Sequence, residues 1–376
     1  MKTLSLLIKP ASGLCNIKCS YCFYREELSH LQGVRPGIMS DEVLELLIQR
    51  ACESAEDTLQ ITFQGGEPAL AGLDFYRKFT ELLRKTKKRN LRVSYSFQTN
   101  GLLLDEDWCA FFQENHFLVG LSFDGTADLH DRYRTDANGK GTSAQVLAAW
   151  QLLRQNRVDT NLLCVVTKQA AKRPGRIYHF MRDLGAEFLQ YIPCMDFRTD
   201  IPVGQSLALA PADYAYFLKG LFDLWYQDWE RGDYVSIRQF DDYLLALGGR
   251  RPNSCSACGE CGAYLVAEHD GSVYPCDFYV EDRYCLGNIK EASFEELRYG
   301  ENMKQFLQTP YKGSRCSAGI CRFYALCRGG CRRDSVTAET CGQKDYANRY
   351  CEAYQDFFQY ALPRMQKAAQ SAGLLR

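Results

Sequence analysis

No stretch of this 376-residue chain approaches the length of a membrane span. The start, Met1-Lys-Thr-Leu-Ser-Leu-Leu-Ile-Lys9, has too short an apolar run between its lysines for a secretory leader. Nor is there an excess of charge: 45 Lys and Arg stand against 46 Asp and Glu, so no global basic field draws the chain to nucleic acid. Local clusters such as Arg328, Arg332 and Arg333 read as solvated or cluster-adjacent surface. With 46% apolar and 13% aromatic residues the chain can bury a large core, which excludes disorder over most of its length. These absences point to a cytoplasmic protein with neither nucleic acid nor membrane as partner. In that compartment eighteen cysteines read as metal ligands before they read as disulfides.

Cys15, Cys19 and Cys22 form a CxxxCxxC triplet just after the apolar run Leu4–Ile8. A structural zinc site wants four ligands, usually as CxxC pairs, and the next cysteine is as distant as Cys52. An odd triplet this tight cannot pair internally as disulfides. Three thiolates suit a [4Fe–4S] cluster held by three of its irons, whose fourth iron stays open to a small molecule.

Short β-rich runs alternate with amphipathic helical stretches as far as Cys194, which argues for a parallel sheet wrapped by helices. The expected strands are Leu4–Ile8, Leu59–Phe63, Arg92–Phe97, Phe117–Phe123, Asp159–Val166 and Glu187–Ile192. Between them Ser40 can cap a helix over Asp41–Cys52 and Asp105 one that runs to Glu114, with Leu73–Lys85, Ser143–Gln155 and Pro174–Leu184 completing the set. Six βα units are too few for an eight-stranded barrel and enough for a curved partial one, whose ligands collect at the carboxyl ends of the strands. Gln64-Gly65-Gly66-Glu67-Pro68, Gln98-Thr-Asn-Gly101 and Ser122-Phe-Asp-Gly125 all fall at such ends.

Beyond Asp196 the rhythm changes. Pro202-Val-Gly-Gln is linker-like, Pro211–Arg231 is an aromatic amphipathic helix, and a second region begins near Tyr234. Its cysteines are Cys255, Cys258, Cys261, Cys276, Cys285, Cys316, Cys321, Cys327, Cys331, Cys341 and Cys351, and bound metal is expected to supply much of its order. Ala263–Glu268 and Ser272–Pro275 read as a hairpin around His269-Asp-Gly271, Ser293-Phe-Glu-Glu296 as a capping box, and Asp345 to about Lys367 as a closing helix. The expected division is 1–233 and 234–376.

The residues Cys15-Asn-Ile-Lys-Cys-Ser-Tyr-Cys-Phe-Tyr24, Phe63-Gln-Gly-Gly-Glu-Pro68 and Gln98-Thr-Asn-Gly101 resemble the radical S-adenosylmethionine superfamily. Asp270-Gly-Ser-Val-Tyr-Pro-Cys-Asp-Phe-Tyr279, Leu286-Gly-Asn-Ile289 and Cys327-Arg-Gly-Gly-Cys-Arg-Arg333 resemble its SPASM branch, most closely the anaerobic sulfatase-maturating enzymes. The resemblance covers almost the whole chain. It implies an α/β fold, a partial (β/α)6 barrel followed by a Cys-rich SPASM-type iron–sulfur domain and a C-terminal helix. It also implies S-adenosylmethionine and three [4Fe–4S] clusters as cofactors.

Residue by residue, the cofactor would be contacted by Tyr21, Gly66, Glu67, Ser122, Arg134 and Met195. The first auxiliary cluster would be held by Cys255, Cys261, Cys276 and Cys331, and the second by Cys316, Cys321, Cys327 and Cys351. Two features depart from the family pattern. Cys316 and Cys321 are four residues apart where the family has CxxC, and Cys258 stands between Cys255 and Cys261 as a competing ligand. Cys351 is preferred to Cys341 because Tyr350-Cys351 precedes an aromatic helix. Two zinc sites are what thiolate spacing alone would also permit. Cys52, Cys109, Cys164, Cys194 and Cys285 read as small buried apolar residues.

The implied reaction oxidises a Cys or Ser side chain in a sulfatase precursor to Cα-formylglycine. A deoxyadenosyl radical removes a Cβ hydrogen, a base takes the thiol or hydroxyl proton, and an auxiliary cluster accepts the second electron. Asp277 stands at the family's proposed proton acceptor. The implied partners are an unfolded segment carrying Cys/Ser-x-Pro/Ala-x-Arg and a reducing flavodoxin or ferredoxin. Two other readings fit the same residues: a SPASM enzyme that crosslinks a small ribosomal peptide, and a non-catalytic iron–sulfur electron carrier.

Overall fold

A computed structural model describes residues 1–24, 36–195, 206–336 and 346–375. In chain order its strands include β1 (Thr3–Ile8), β2 (Ile17–Cys19), β3 (Thr58–Phe63), β4 (Arg92–Thr99), β5 (Phe117–Ser122) and β6 (Arg134–Asp136). They continue with β7 (Thr160–Val166), β8 (Phe188–Pro193), β9 (Ser236–Ile237), β10 (Leu265–Ala267), β11 (Ser272–Tyr274) and β12 (Gly287–Asn288). The six parallel strands expected from the sequence are β1, β3, β4, β5, β7 and β8, each within a residue or two of its expected ends. The intervening helices form as well, and Ser40 and Asp105 accept the Val43 and Trp108 backbone N–H groups as their N-caps.

The chain divides into two compact units, neither continuous in sequence. The first comprises Met1–Phe123, His130–Asn161 and Gly262–Gln308. Its strands lie in the order β12-β11-β10-β1-β3-β4-β5, parallel from β10 to β5, with β11 and β12 antiparallel at the edge. Leu59, Ile61 and Phe63 alternate inward on β3. Phe63 packs edge-on against Tyr76 and Phe79 at 5.0 Å, and Phe97, Phe112 and Phe117 continue the aromatic layer. Each such pair adds about 0.5–1.5 kcal/mol beyond the area it buries.

The hairpin of β10 and β11, read from sequence as part of the second region, is built onto the free edge of β1. Leu6, Leu7 and Ile8 pair with Leu265, Val266 and Ala267. The physical reason is edge protection: an unpaired β1 would leave a row of N–H and C=O groups open to other chains. A second detail without a sequence signal is the ribbon of β2 and β6, whose register sets Cys19 directly opposite Arg134.

The second unit comprises Asp124–Leu129, Leu162–Cys261 and Thr309–Arg376. Strands β7, β8 and β9 pair in parallel. Helix Pro211–Glu230 packs on helix Cys351–Ser371 through Phe222 and Phe357 at 5.7 Å, and Asp223 meets Arg364 at 2.8 Å. The cysteine-rich parts have short helices, Cys255–Cys258 and Tyr324–Cys327. The linker 202–205, Cys341 and the expected start of the closing helix at Asp345 lie outside the described residues. Among the described residues no helix is long and apolar enough to cross a membrane.

Candidate active site

In the first unit the carboxyl ends of neighbouring strands carry the polar residues. Because Ile8 pairs with Ala267, the next residue of each strand follows side by side, and Lys9 Nζ lies 3.1 Å from Glu268 Oε1. Lys9 Nζ also reaches Asp277 Oδ1 at 3.3 Å and lies 4.3 Å from the centre of the Tyr24 ring. The Tyr24 hydroxyl is 2.7 Å from both Asp277 oxygens. Gln64, the residue after β3, donates to the Tyr24 hydroxyl at 2.9 Å and reaches Asp277 Oδ2 at 3.3 Å. The other Glu268 oxygen accepts from Ser12.

Asp277 is therefore a buried carboxylate held by an ammonium, a phenol and an amide. Burial raises its pKa, Lys9 and Tyr24 oppose that, and the Glu268 charge adds to the rise. Lys9, Tyr24, Gln64 and Glu268 were not singled out from the sequence. Lys9 reads there as a charge flanking an apolar run, and its role depends on the β1–β10 pairing.

The loop after β3 lies against the Cys15 loop. Gly66 has φ +58°, and a Cβ there would stand 2.2 Å from the Leu14 carbonyl oxygen, so a side chain would push the two loops apart. The Glu67 N–H donates to that same carbonyl at 2.7 Å. The Glu67 carboxylate is buried, and it accepts from Ala69 N (3.1 Å), Thr99 Oγ1 (2.7 Å) and Asn100 N (2.8 Å). Burial raises its pKa to about 7 against the lowering effect of those three bonds. Two carboxylate oxygens offer about four acceptor positions, so three internal bonds leave about one for a ligand cation.

Cys15 Sγ lies 3.9 Å from Asn100 Nδ2. Desolvation, and after it the charges of Glu67 and Cys22, raises its thiol to about 11. The Cys22 N–H donates to the Cys19 carbonyl, which folds the triplet into a turn. Arg134 Nη1 lies 3.8 Å from Cys19 Sγ, and its guanidinium carbon is 5.5 Å from the Tyr21 ring centre. Ser122 is buried at the end of β5. Met195 belongs to the second unit, where it is buried just beyond β8.

The second unit gathers thiols too. The Cys327 thiol is raised to about 11 by burial and then by Cys316, Cys321 and Cys351, with the Gly329 N–H opposing. The Cys316 thiol is raised by burial, Cys351 and Cys321. Gly329, at φ +91°, lets the backbone pass where a Cβ would stand 2.9 Å from Cys316 Sγ. Elsewhere in the unit burial and then the Cys261 charge raise the Cys255 thiol, burial raises Cys261 against the Tyr311 hydroxyl and the Arg332 and Lys312 charges, and Tyr311 is raised by burial, Cys261 and Cys331. Cys258 is instead buried with its thiol on the Pro252 carbonyl at 3.4 Å. Cys276 belongs to the first unit, 3.5 Å from the Tyr264 hydroxyl.

These donor sets fit iron–sulfur clusters. Most of these thiols are half-buried; gathered thiols carry an electrostatic cost as a group of anions, and metal binding removes it by replacing their protons. Backbone N–H groups aimed at sulfur, as from Gly329, are what tunes such a centre. Cys52, Cys109, Cys164 and Cys194 are buried apart from these groups, and half-buried Cys285 packs against a small core of Leu7, Val266, Tyr274 and Val280.

The chain is similar over nearly its whole length to known proteins. The radical SAM superfamily model matches residues 10–181, and a model described as an iron-sulfur cluster-binding domain, SPASM, matches residues 258–327. A cysteine-type anaerobic sulfatase-maturating enzyme of Clostridium novyi is 43% identical over 99% of this chain and 98% of its own length. A serine-type enzyme of Bacteroides thetaiotaomicron is 31% identical over 97% of this chain and 91% of its own length. The structure of native anSMEcpe with bound AdoMet and Kp18Cys peptide superposes with a TM-score of 0.90 at 42% identity, covering 98% of this chain and 99% of that one.

Proposed function

The chain belongs to the anaerobic sulfatase-maturating enzymes of the radical S-adenosylmethionine superfamily, and on that premise we propose that it oxidises a cysteine, with Asp277 as proton acceptor. As a member it oxidises a sulfatase side chain to Cα-formylglycine and uses S-adenosylmethionine with iron–sulfur clusters, so the electron-carrier reading falls away. Cysteine is favoured over serine by the higher identity to the cysteine-type relative, 43% against 31%.

When bound at a cluster held by Cys15, Cys19 and Cys22, S-adenosylmethionine supplies the radical that removes a Cβ hydrogen. Gly66 and Glu67 would hold the loop that faces its ammonium, with Arg134, Tyr21 and Ser122 as further contacts. Asp277 takes the proton that the substrate thiol loses, because a buried carboxylate ready to accept a proton is a competent base. Tyr24 and Gln64 fix both of its oxygens, and Lys9 supplies the countercharge. Loss of hydrogen atom, proton and electron from the CH2–SH group gives a thioaldehyde, which water converts to the aldehyde with release of hydrogen sulfide.

The observation that carries this reading is the buried Lys9–Asp277–Tyr24–Gln64 group one residue from Cys276. Cys316, Cys321, Cys327 and Cys351 are assigned to one auxiliary cluster, supported by the charges of Cys321 and Cys351 acting on Cys316, those of all three acting on Cys327, and the close approach of Gly329 to Cys316 Sγ. Cys255, Cys261 and Cys331 are assigned to the other auxiliary cluster. Cys/Ser-x-Pro/Ala-x-Arg in an unfolded segment is the substrate motif, a flavodoxin or ferredoxin is the reductant, and the cytoplasm, which keeps eighteen thiols reduced, is the compartment.

The test is incubation of reduced enzyme with sulfatase peptides that differ only in Cys or Ser at the modified position, with aldehyde followed by mass. The Cys peptide is expected to react faster. Equal or faster reaction of the Ser peptide overturns the preference.

A further inference from the structure

His130 is fully buried, its ring stacked at 4.7 Å on Phe123, the residue that follows Ser122 at the end of β5. Its Nε2 lies 3.0 Å from the Thr142 hydroxyl, and that hydroxyl donates to the Arg134 carbonyl at 3.0 Å. A carbonyl can only accept and a hydroxyl has one hydrogen, so Nε2 is the donor in the first of these bonds. The direction is therefore fixed, from His130 through Thr142 to Arg134. Thr142 directly precedes helix Ser143–Gln155, a position where a threonine side chain ordinarily accepts a backbone N–H of the first turn. Here it makes no such bond. Asp131 serves the helix start instead, accepting from Ser143 N and Ser143 Oγ, each at 2.7 Å. A hydroxyl in a capping position has thus been diverted to hold one backbone oxygen.

That oxygen belongs to a buried arginine whose guanidinium carbon lies 5.5 Å from the Tyr21 ring centre and whose Nη1 lies 3.8 Å from Cys19 Sγ. Arg134 pairs with Cys19 across the β2–β6 ribbon, and the preceding carbonyl, of Tyr133, accepts from Ser20 N at 2.9 Å. The segment is tied to the cysteine triplet on one side and to Thr142 on the other. A guanidinium offers its donors as a rigid planar fork, so what it can grip depends on where its side chain leaves the backbone. We propose that His130 is a positioning residue for cofactor binding: through Thr142 it fixes the backbone of Arg134, and with it the direction in which the guanidinium meets S-adenosylmethionine. A histidine that served packing alone would need no hydrogen-bonded path to that one carbonyl. The inference rests on the reading of Arg134 as a cofactor contact.

The experiment is equilibrium titration of reconstituted, unreduced protein with S-adenosylmethionine, beside iron content. His130→Phe keeps a ring against Phe123 and removes the donor, while Thr142→Val keeps the shape and removes the hydroxyl. Each is expected to raise the dissociation constant about 3- to 10-fold, the span that loss of one neutral hydrogen bond supplies, with iron at the wild-type value. The two together should be no weaker than the weaker single variant, since both break one path. His130→Gln, which can present an N–H in the same direction, should bind as wild type does. Arg134→Gln should lose more affinity than either, and adding His130→Phe to it should change nothing further, because the effect of His130 runs through the guanidinium. Unchanged affinity in His130→Phe overturns the positioning role. So does an equal loss from His130→Phe with and without Arg134→Gln, or affinity lost only together with iron in both His130→Phe and Thr142→Val, which are the marks of a packing residue. Unchanged affinity in Arg134→Gln would instead overturn the reading of Arg134 as a contact.

Discussion

Replacing Glu67 by Gln removes one charge from the loop proposed to face the cofactor ammonium while keeping the shape. The amide's better orientation leaves an oxygen for Ala69 N and Thr99 Oγ1 and turns its NH2 toward Asn100 N, setting two donors where a bond of 2.8 Å stood. Loss of a bond to a charged group costs about 1.5–3 kcal/mol. Against this, raising the carboxyl from 4.5 to about 7 means that ionised Glu67 costs the fold about 3 kcal/mol above neutral pH, a cost the amide does not carry.

The sign follows from the raised value. The contribution of this group to stability is present below its unfolded pKa and is lost as pH rises through about 7, so the variant gains relative to wild type as pH rises. Near pH 8 the two effects offset, and melting should shift by only a few degrees. Cofactor binding has no such compensation. The ammonium loses a charge-assisted partner, and the S-adenosylmethionine dissociation constant should rise about 10- to 100-fold. Equilibrium titration of reconstituted, unreduced protein at pH 8 measures it. An unchanged constant in a well-folded variant would mean that Glu67 only braces the loop.

Two further outcomes follow from the site. Joint replacement of Cys15, Cys19 and Cys22 by Ala should remove about a third of roughly twelve irons per chain, since the eleven cysteines proposed as ligands divide as three, four and four. It should also abolish cleavage of S-adenosylmethionine; stoichiometric zinc with about four irons in anaerobically purified wild-type protein would refute the count. Asp277→Asn should keep its clusters and still produce 5′-deoxyadenosine, while formylglycine falls about 10²–10⁴-fold, the usual effect of losing a general base. Wild-type aldehyde yield from that variant would assign the proton to another group.

Much of this molecule was legible in its sequence because local chemistry specified it. The strands β1, β3, β4, β5, β7 and β8 were readable from short apolar runs between cappable helices, and Ser293 forms its capping box with Glu296 as the pattern requires. Gly66 was legible as a close-approach glycine, although its partner, the Leu14 carbonyl, was not. What stayed hidden depends on pairing between distant segments. Nothing local to Ile17–Cys19 announces a strand, yet pairing with Arg134–Asp136 brings a guanidinium to the sulfur of Cys19.

The same reasoning explains why the proposed base sits where it does. A parallel pair carries neighbouring residues forward in step, so the pairing of Ile8 with Ala267 fixes Lys9 beside Glu268 without any signal in either segment. The β10–β11 hairpin then returns the chain to Cys276 and Asp277 on the same edge. A register slip of one residue would turn Lys9 to the opposite face and leave Asp277 buried without its cation. An uncompensated buried carboxylate costs several kcal/mol, enough to select the correct register. Sheet closure and assembly of the base are thus one event: the hairpin that protects the edge of β1 also delivers the carboxylate, and Lys9 is the residue that joins the two.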